Sequence, residues 1–382
     1  MVRGVLVVLE IIVAGLGLYN LTVSLWGWKD PPPSPGPALE RRPFLVVIPA
    51  FNEERVIARP IEHLLGQLRH GDEVWVLADR CTDATAPLAR EAGAQVLERF
   101  QGPDGKGAAL RWFLDERPLS PDQALVVIDA DNLVPPNLLS RFGEELGLGH
   151  QVLQAYLDIS NPDQSPVATA SALSYWASNR MVQLARTNLH WPADLGGTGM
   201  CLTARALEES GGFGTSLVED QELGVRCFLA GFPVRWLHDL RVADEKPVAA
   251  EVAVSQRARW QSGRRHVARR WLLPLLKKRT RASWDLALRL IQPSRAGIAL
   301  ISAVLAIAAA VGAPLWPWQI WTAVALIQLL GPLAFLIRDG VPRRYLTRYP
   351  LLVLLPILKM LARFRRNRGW YHTPHGVNSP PP

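Results

Sequence analysis

The strongest constraint on the fold is a pair of long uncharged segments in the last quarter of the chain. Residues 296–316 carry no charged side chain over 21 positions, and residues 317–337 are uncharged as well. A helix that crosses a bilayer needs about 20 apolar residues. We therefore expect two transmembrane helices here, with Pro314 and Pro317 at the turn between them.

Two further apolar stretches flank or follow these segments. Residues 5–28 contain one charge, Glu10. The apolar segment is too long for a signal peptide and lacks a convincing small-residue cleavage site. We expect a retained transmembrane anchor over residues 1–28. Near residues 349–358 the apolar run is short, interrupted by Pro356, and indicates a re-entrant or interfacial helix within the membrane region 291–362.

The net charge of +8 originates in one basic segment. Residues 257–281 hold ten Arg or Lys and no Asp or Glu. Such a segment can bind nucleic acid, but its position before two apolar segments favours basic interfacial helices, residues 255–290, on an anionic membrane face. An apolar stripe at helical spacing supports this interpretation: Trp260, Val267, Trp271 and Leu275. We expect the membrane, and no nucleic acid, as a partner.

The distribution of basic residues also predicts the topology. Lys29, Arg41 and Arg42 follow the first apolar segment, whereas only Arg3 precedes it. With the basic segment, the positive-inside rule places residues 29–290 in the cytoplasm, and the basic tail 363–382 on the same side. The chain is thus expected to be a multi-pass protein of the cell (inner or plasma) membrane.

The cytoplasmic block begins with a Pro-rich linker, residues 29–42, and continues over residues 43–254 with alternating strand and helix patterns. The predicted strands are 44–48, 73–77, 95–98 and 124–128, and the predicted helices are 53–69, 83–92 and 107–115. This alternation predicts an α/β fold with a Rossmann-like, doubly wound, mostly parallel sheet. The three cysteines lack metal-ligand spacing, so we expect them to be packing residues.

Two carboxylates end the strand A-L-V-V-I-D-A-D. In an extended backbone Asp129 and Asp131 point to the same side, and ligands of such sheets bind at the carboxyl ends of strands. The pair suits a divalent cation that bridges to a diphosphate. The plainer alternative is that both residues form a solvated turn.

Other polar clusters follow the other strands: P-A-F-N-E-E at 49–54, A-D-R-C-T-D at 78–83 and G-K-G at 105–107. Together they supply hydrogen-bond partners for a base and ribose and a cation for phosphates, as in a nucleoside diphosphate site. Individually, Asn52, Glu54 and Asp83 also suit helix caps, and Lys106 suits an exposed surface. No G-x-G-x-x-G follows the first strand, which excludes the common dinucleotide fingerprint.

With V-E-D at 218–220 and Q-R-A-R-W at 256–260, six motifs stand in the order found in one family. The chain resembles the family 2 glycosyltransferases over about residues 43–275. The Q-x-x-R-W signature makes it similar to the membrane-bound cellulose, chitin and hyaluronan synthases and the ceramide glucosyltransferase-like enzymes. The resemblance implies a GT-A fold, a nucleotide-sugar donor, Mg²⁺ or Mn²⁺, and inversion at the anomeric carbon.

The resemblance also assigns roles to residues by motif position. The nucleotide-sugar-binding set comprises Ala50, Glu54, Asp79, Lys106 and Asp129. Asp131 is the implied metal ligand. The implied catalytic set comprises Asp220, Gln256, Arg259 and Trp260.

Elementary chemistry supports the catalytic set independently. An acceptor hydroxyl must lose a proton as it attacks, so a carboxylate such as Asp220 is needed within hydrogen-bond reach. Asp220 also suits a simple N-cap of a predicted helix over 220–230. Gln256, Arg259 and Trp260 fall on one helical face, where the cation can neutralise the leaving diphosphate and the indole can support a sugar ring.

Several positions depart from the family pattern or stay open. Ala78 stands where many relatives have an aspartate, and V-E-D replaces T-E-D or E-E-D. The segment 196–200, G-G-T-G-M, suits either a loop near the acceptor or a plain tight turn. Residues 370–375, W-Y-H-T-P-H, are similar to a W-x-x-T segment of some relatives.

The leading interpretation is a membrane-embedded transferase that moves a sugar, with UDP-sugars as the expected donors, to a lipid or other membrane-embedded acceptor. A processive polysaccharide synthase is the alternative, although only two expected spans follow the basic segment. A catalytically inactive nucleotide-sugar-binding scaffold is a third class, which the intact carboxylates and Arg259 disfavour. A transporter is disfavoured because the spans are few and nearly free of polar residues.

Overall fold

The structure is a computed structural model that describes residues 2–31, 36, 42–313 and 315–364. Most of the Pro-rich linker, Pro314, and the tail from residue 365 with its W-Y-H-T-P-H segment therefore lie outside the described residues. Seven strands form one sheet: Phe44–Ala50 (β1), Glu73–Asp79 (β2), Gln95–Arg99 (β3), Ala124–Val127 (β4), Val152–Ile159 (β5), Met200–Thr203 (β6) and Val234–Asp244 (β7).

The strand order is β3-β2-β1-β4-β6-β5-β7. β6 is antiparallel to both of its neighbours, β4 and β5. All other neighbouring strands pair in parallel. The mostly parallel, doubly wound sheet that the alternating pattern predicts is therefore confirmed. The sequence did not reveal the antiparallel strand, which is only four residues long.

Fifteen α-helices lie within the described residues: Val2–Leu25 (α1), Ala58–Leu65 (α2), Thr85–Glu91 (α3), Lys106–Glu116 (α4), Leu138–Gly147 (α5), Pro166–Ser178 (α6), Ala185–Asn188 (α7), Ala204–Glu209 (α8), Glu219–Ala230 (α9), Ala250–Lys277 (α10), Arg281–Ile291 (α11), Arg295–Ala310 (α12), Trp318–Arg338 (α13), Arg343–Leu346 (α14) and Leu354–Phe364 (α15). A π-helical turn, Asn179–Leu184, joins α6 to α7, and 3₁₀ turns occupy Trp26–Trp28 and Tyr349–Val353.

The helix predicted from residue 53 begins only at Ala58. The backbone N–H of Glu53 donates to the Thr85 hydroxyl at 2.8 Å, and that of Glu54 donates to the Asp83 carboxylate at 3.1 Å. These bonds hold the segment in a turn against the loop after β2, so the α-helix starts one turn later than predicted.

Alternate residues of the central strands supply the two cores. On β1, Val47 packs in the core that faces α4 and α6, and Val46 packs in the core that faces α2 and α5. A strand whose two faces are both covered reads as a continuous apolar run, as β1 and β4 do. The sheet is thereby buried, and its polar functional groups are confined to strand ends and loops.

Among the described residues, two helices are long and apolar enough to cross a membrane, namely the N-terminal helix up to residue 28 and α13. The span predicted over residues 296–316 is shorter than expected: α12 has 16 residues and ends at Ala310, because Gly312 with a φ of 93° turns the chain. With α11, from which it is bent by 71°, α12 forms a third candidate span. The stretch near residue 349 contains the 11-residue α15, which alone is too short to cross.

The apolar stripe of α10 packs against protein, so it does not support the interfacial helices that its spacing favoured over residues 255–290. Val267 and Leu275 are fully buried, and Trp260 and Trp271 are partly buried, against side chains of α9 and α11. The Trp271 indole N–H donates to a Glu222 carboxylate oxygen at 3.0 Å. Helical periodicity shows that a face is covered but does not reveal whether protein or lipid covers it.

Candidate active site

A cleft of about 610 Å³ opens at the carboxyl ends of β1, β2 and β4 and extends below α10 and α15. It gathers nine of the ten residues that the sequence assigns to the site: Ala50, Asp79, Lys106, Asp129, Asp131, Asp220, Gln256, Arg259 and Trp260. These residues come from six separate elements and loops, so the fold, rather than chain proximity, brings them together.

Glu54 is the exception, since it does not line the cleft. Its carboxylate accepts the backbone N–H of Ala84 at 3.0 Å, and its own N–H is bonded to Asp83. Glu54 thus fixes the loops after β1 and β2 against each other. Glu53, one residue earlier, lines the cleft instead.

Asp79 lies at the end of β2 between two arginines. It pairs with Arg80 at 3.0 Å and with the buried Arg99 at 3.1 Å. The two guanidinium groups neutralise this carboxylate and orient it toward the cleft, where the sequence expects the nucleoside.

Lys106 is the central cation of this end of the cleft. Its Nζ forms an ion pair with Asp129 and donates to the carbonyl of Gly197 at 2.7 Å. Burial alone would lower the pKa of Lys106, but the neighbouring carboxylates of Asp129, Glu219 and Asp220 outweigh burial and raise it. The amine therefore stays charged and suits contact with phosphates.

Two glycines allow this arrangement. A Cβ at Gly107 would lie 2.8 Å from the Cβ of Glu219, so the start of α4 approaches α9 only because the residue is glycine. Gly197 has a φ of 82° and lies against Asp220, and the loop 196–198 lines the cleft between Lys106 and that carboxylate. The G-G-T-G-M segment therefore contributes to the wall of the cleft and is not a turn remote from it.

Asp129 and Asp131 line the cleft from the turn after β4, which ends at Val127 rather than at residue 128. The backbone N–H of Asp129 donates to the Thr198 hydroxyl at 2.9 Å, which fixes the turn against the 196–198 loop. The described residues contain no group of three or more His, Cys, Asp or Glu that could hold a metal alone. Two hard carboxylates still fit Mg²⁺ or Mn²⁺, because such ions take their remaining ligands from water and substrate phosphates.

Asp220 is the second residue of α9, and Val218 occupies the cap position, so the N-cap interpretation of Asp220 is wrong. Burial and the negative charge of Glu219 raise the pKa of Asp220 to about 7. A carboxylate with a pKa near neutrality can accept a proton at physiological pH and release it afterwards.

The helix α10 closes the cleft opposite the strand ends. Its residues Gln256, Arg259 and Trp260 all line the cleft. The positive charge of Arg259 offsets part of the rise in the pKa of Asp220, so the two groups lie within electrostatic reach. A Cβ at Gly263 would lie 2.8 Å from Val218 side-chain atoms, so this glycine lets α10 pack closely on the V-E-D segment.

Other residues of the cleft were not found from the sequence. Asn179 and Gln183 reach it from the π-helical turn, a feature that frequently occurs at functional sites but has no sequence signature. Lys246 pairs with Asp244 at 2.6 Å beyond the end of β7. Arg257, inside Q-R-A-R-W, and Lys359 also line the cleft.

A solved structure of similar fold is the mannosyltransferase PcManGT from Pyrobaculum calidifontis in complex with GDP-Man and Mn²⁺. It is 18% identical, with a TM-score of 0.60, over 94% of this chain and 99% of that chain. The shared architecture is the GT-A fold. The sequence pattern of the glycosyltransferase-like family 2 matches residues 41–263, and the chain belongs to that family.

Curated relatives share less of their length with this chain. The probable glycosyltransferase YdaM of Bacillus subtilis is 25% identical over 63% of this chain and 60% of its own length. Glucomannan 4-beta-mannosyltransferase 2 of Arabidopsis thaliana is 25% identical over 63% of this chain and 48% of its own. The chain therefore spans about half of these relatives, and the family they share is glycosyltransferase.

Proposed function

We propose that the chain is a membrane-embedded, inverting glycosyltransferase. It moves the sugar of a nucleotide-diphosphate sugar to a lipid or other membrane-embedded acceptor. The observation that carries this proposal is the position of Asp220. Its carboxylate, with a pKa raised to about 7, shares one cleft with the cations Lys106 and Arg259 and the Asp129–Asp131 turn.

In the proposed reaction an acceptor hydroxyl oxygen attacks the anomeric carbon from the face opposite the diphosphate. Asp220 takes the hydroxyl proton, and the bond between the anomeric carbon and the diphosphate oxygen breaks with its electron pair on the leaving group. Lys106 and Arg259 stabilise the negative charge that develops there.

Asp131, with Asp129, would hold the divalent cation, which neutralises diphosphate charge when bound. Ala50 and Asp79 would contact the nucleoside, and Gln256 and Trp260 would position the transferred sugar. These roles rest on the common cleft and on motif positions. The expected orientation, with residues 29–290 in the cytoplasm, gives the cleft access to cytoplasmic nucleotide sugars.

The acceptor is proposed from the membrane helices. The N-terminal helix and α13 are long and apolar enough to span, and α15 exposes Ile357, Met360 and Leu361 beside the cleft. Polysaccharide synthesis is the second candidate, favoured by the similarity to a glucomannan mannosyltransferase.

The test is transfer by the purified chain in lipid nanodiscs, with a panel of radiolabelled UDP-sugars and GDP-mannose. GDP-mannose is included because relatives carry mannosyltransferase names. Label in an organic-extractable product would support a lipid acceptor, and label retained as high-mass polymer would support the synthase. Nucleotide binding without transfer to any membrane fraction would favour the scaffold. Asp220→Asn protein serves as the matched inactive control.

A further inference from the structure

Three basic side chains line the cleft away from the strand ends. Arg257 and Arg264 lie on α10, seven residues apart and therefore on the same helical face, and Lys359 lies on α15. The two helices pack through Ala253, Ala258, Leu358 and other small or apolar residues. In addition, the Gln261 side chain donates to the backbone carbonyl of Lys359 at 3.1 Å.

These three residues, here called the cationic trio, have no ion-pair partner among the described side chains. The buried Arg257 donates only to the Ser171 hydroxyl and the Ala253 carbonyl, each at 3.3 Å. Arg264 donates to the Arg289 carbonyl at 2.8 Å. Arg264 and Lys359 are exposed, but Arg257 is buried. Because a buried charge is normally paired, an unpaired Arg257 beside two further cations of the same cleft favours an anionic ligand.

The neighbouring carboxylate is committed elsewhere. Asp194 is the carboxylate whose charge acts on Arg264, but it is paired with Arg289 at 2.7 Å. The like charges of Arg257 and Arg264 act on the exposed Lys359 amine, so the three cations lie within electrostatic reach of one another. A bound anion would relieve this repulsion.

The trio is separate from the donor end. Lys106 forms its ion pair with Asp129 and donates to the carbonyl of Gly197 at the strand ends, whereas the trio comes from α10 and α15. A donor diphosphate held near Lys106 therefore leaves the trio to a second ligand.

We infer that the cationic trio is an anion subsite of the acceptor, which takes a phosphate or diphosphate group carried by the molecule whose hydroxyl is glycosylated. The inference rests on the proposed function in that it takes the second ligand of the cleft to be an acceptor. Since α15 carries both Lys359 and an exposed apolar face, the subsite stands at the point where a lipid phosphate would enter.

The experiment measures equilibrium binding, which does not require transfer. Dodecyl phosphate, dodecanol and inorganic phosphate are titrated by calorimetry into protein held in nanodiscs of neutral lipid. We expect dodecyl phosphate to bind at least tenfold more tightly than dodecanol. Tighter binding of dodecyl phosphate than of inorganic phosphate supports a lipid-borne anion, and equal binding supports a soluble phosphorylated acceptor.

Two variants and a control link this binding to the trio. Lys359→Gln and Arg257→Gln should each weaken dodecyl phosphate binding by about 10- to 100-fold, because each removes a charge-assisted contact. Arg265→Gln, on the same helix but outside the residues that line the cleft, should bind like the unmodified protein. Nucleotide affinity, measured with UDP and GDP, should not change in any of them.

Unchanged binding in both trio variants, or equal binding of dodecanol, would overturn the anion subsite. Loss of nucleotide affinity in Lys359→Gln would also overturn it, because the trio would then belong to the donor site. A chain that binds dodecyl phosphate through the trio but transfers no sugar from any donor would refute the proposed transfer while leaving the subsite intact.

Discussion

Arg186 and Asp285 form a bidentate ion pair, with Nε at 3.0 Å and Nη2 at 2.9 Å from the two carboxylate oxygens. Both side chains are almost completely buried, and Tyr19 of α1 donates its hydroxyl to the same carboxylate. Arg289 lies 3.2 Å from it as well. One aspartate thus connects the N-terminal helix, the catalytic block and α11.

Asp285→Asn should strongly destabilise the protein. Removal of one partner of a buried ion pair leaves the other charge uncompensated, which costs about 3–5 kcal/mol. The apparent melting temperature in nanodiscs reports the change. Glu209→Gln, which removes an exposed i,i+4 pair with Arg205, should lower it far less. Equal melting temperatures for the two variants would contradict the structural role of Asp285.

Asp220→Asn should lower kcat by roughly 10²–10⁴-fold, because the amide cannot accept the acceptor proton in the transition state. Donor affinity should remain within a small factor, since the proposed donor contacts are Lys106 and the residues at the strand ends. Steady-state rates and nucleotide-sugar calorimetry on the same preparation separate the two quantities. Near-normal turnover would refute the base assignment, and Glu219 would be tested next.

The pH profile should reveal the same carboxylate. Asp220 acts as a base only when deprotonated, so kcat/KM should rise with pH through about 7, the raised pKa of Asp220. The charge of Glu219 contributes to that raised pKa, so Glu219→Gln should move the midpoint to lower pH. Glu208→Gln, which changes an exposed carboxylate of α8 outside the cleft lining, should leave it in place. An identical midpoint in all three proteins would assign the titration to another group.

Asp131→Asn should abolish transfer, and excess chelator should do the same to the unmodified protein, because the proposed cation neutralises the leaving diphosphate. Asp122→Asn, in an exposed turn before β4, is the matched control. Readdition of Mn²⁺ or Mg²⁺ should restore the chelated protein but not the variant. Full turnover in excess chelator would remove the metal from the mechanism.

Arg259→Ala should weaken donor binding and slow transfer together, because a cation near the diphosphate acts on the bound donor and on the leaving group. This pattern differs from that of Asp220→Asn, in which only the rate falls. Arg269→Ala, further along α10 and outside the cleft lining, controls for loss of surface charge. A rate defect without an affinity defect would place Arg259 away from the ground-state diphosphate.

The sheet could be read from the sequence because its central strands are buried on both faces and are separated by amphipathic helices. Its antiparallel strand β6 could not, since four residues carry too little pattern. Nine of the ten predicted site residues line one cleft, in part because strand ends converge in such folds. Glu54 lies outside the cleft lining, which the sequence did not reveal, because a carboxylate that bonds two loops together has the same local sequence as one that binds a ligand.

The cleft residues that were not predicted from the sequence were missed for a different reason. Arg257 and Lys359 are 102 positions apart and meet only because α10 and α15 pack together. Basic residues are common near membrane segments, so neither stands out as a functional group. The surface that covers the apolar stripe of α10 was not predicted for a related reason, since this surface on α9 and α11 is formed only in the folded chain.

The antiparallel direction of β6 has a consequence for how the enzyme could diversify. The loop that enters β6 reaches the edge of the site from the second half of the chain. The proposed nucleotide-binding residues, in contrast, all come before residue 132. The proposed acceptor end of the cleft is lined by residues of α6, α10 and α15. Substitutions in those helices could therefore change which acceptor is used without altering the strand ends, and acceptor preference would be inherited separately from donor preference.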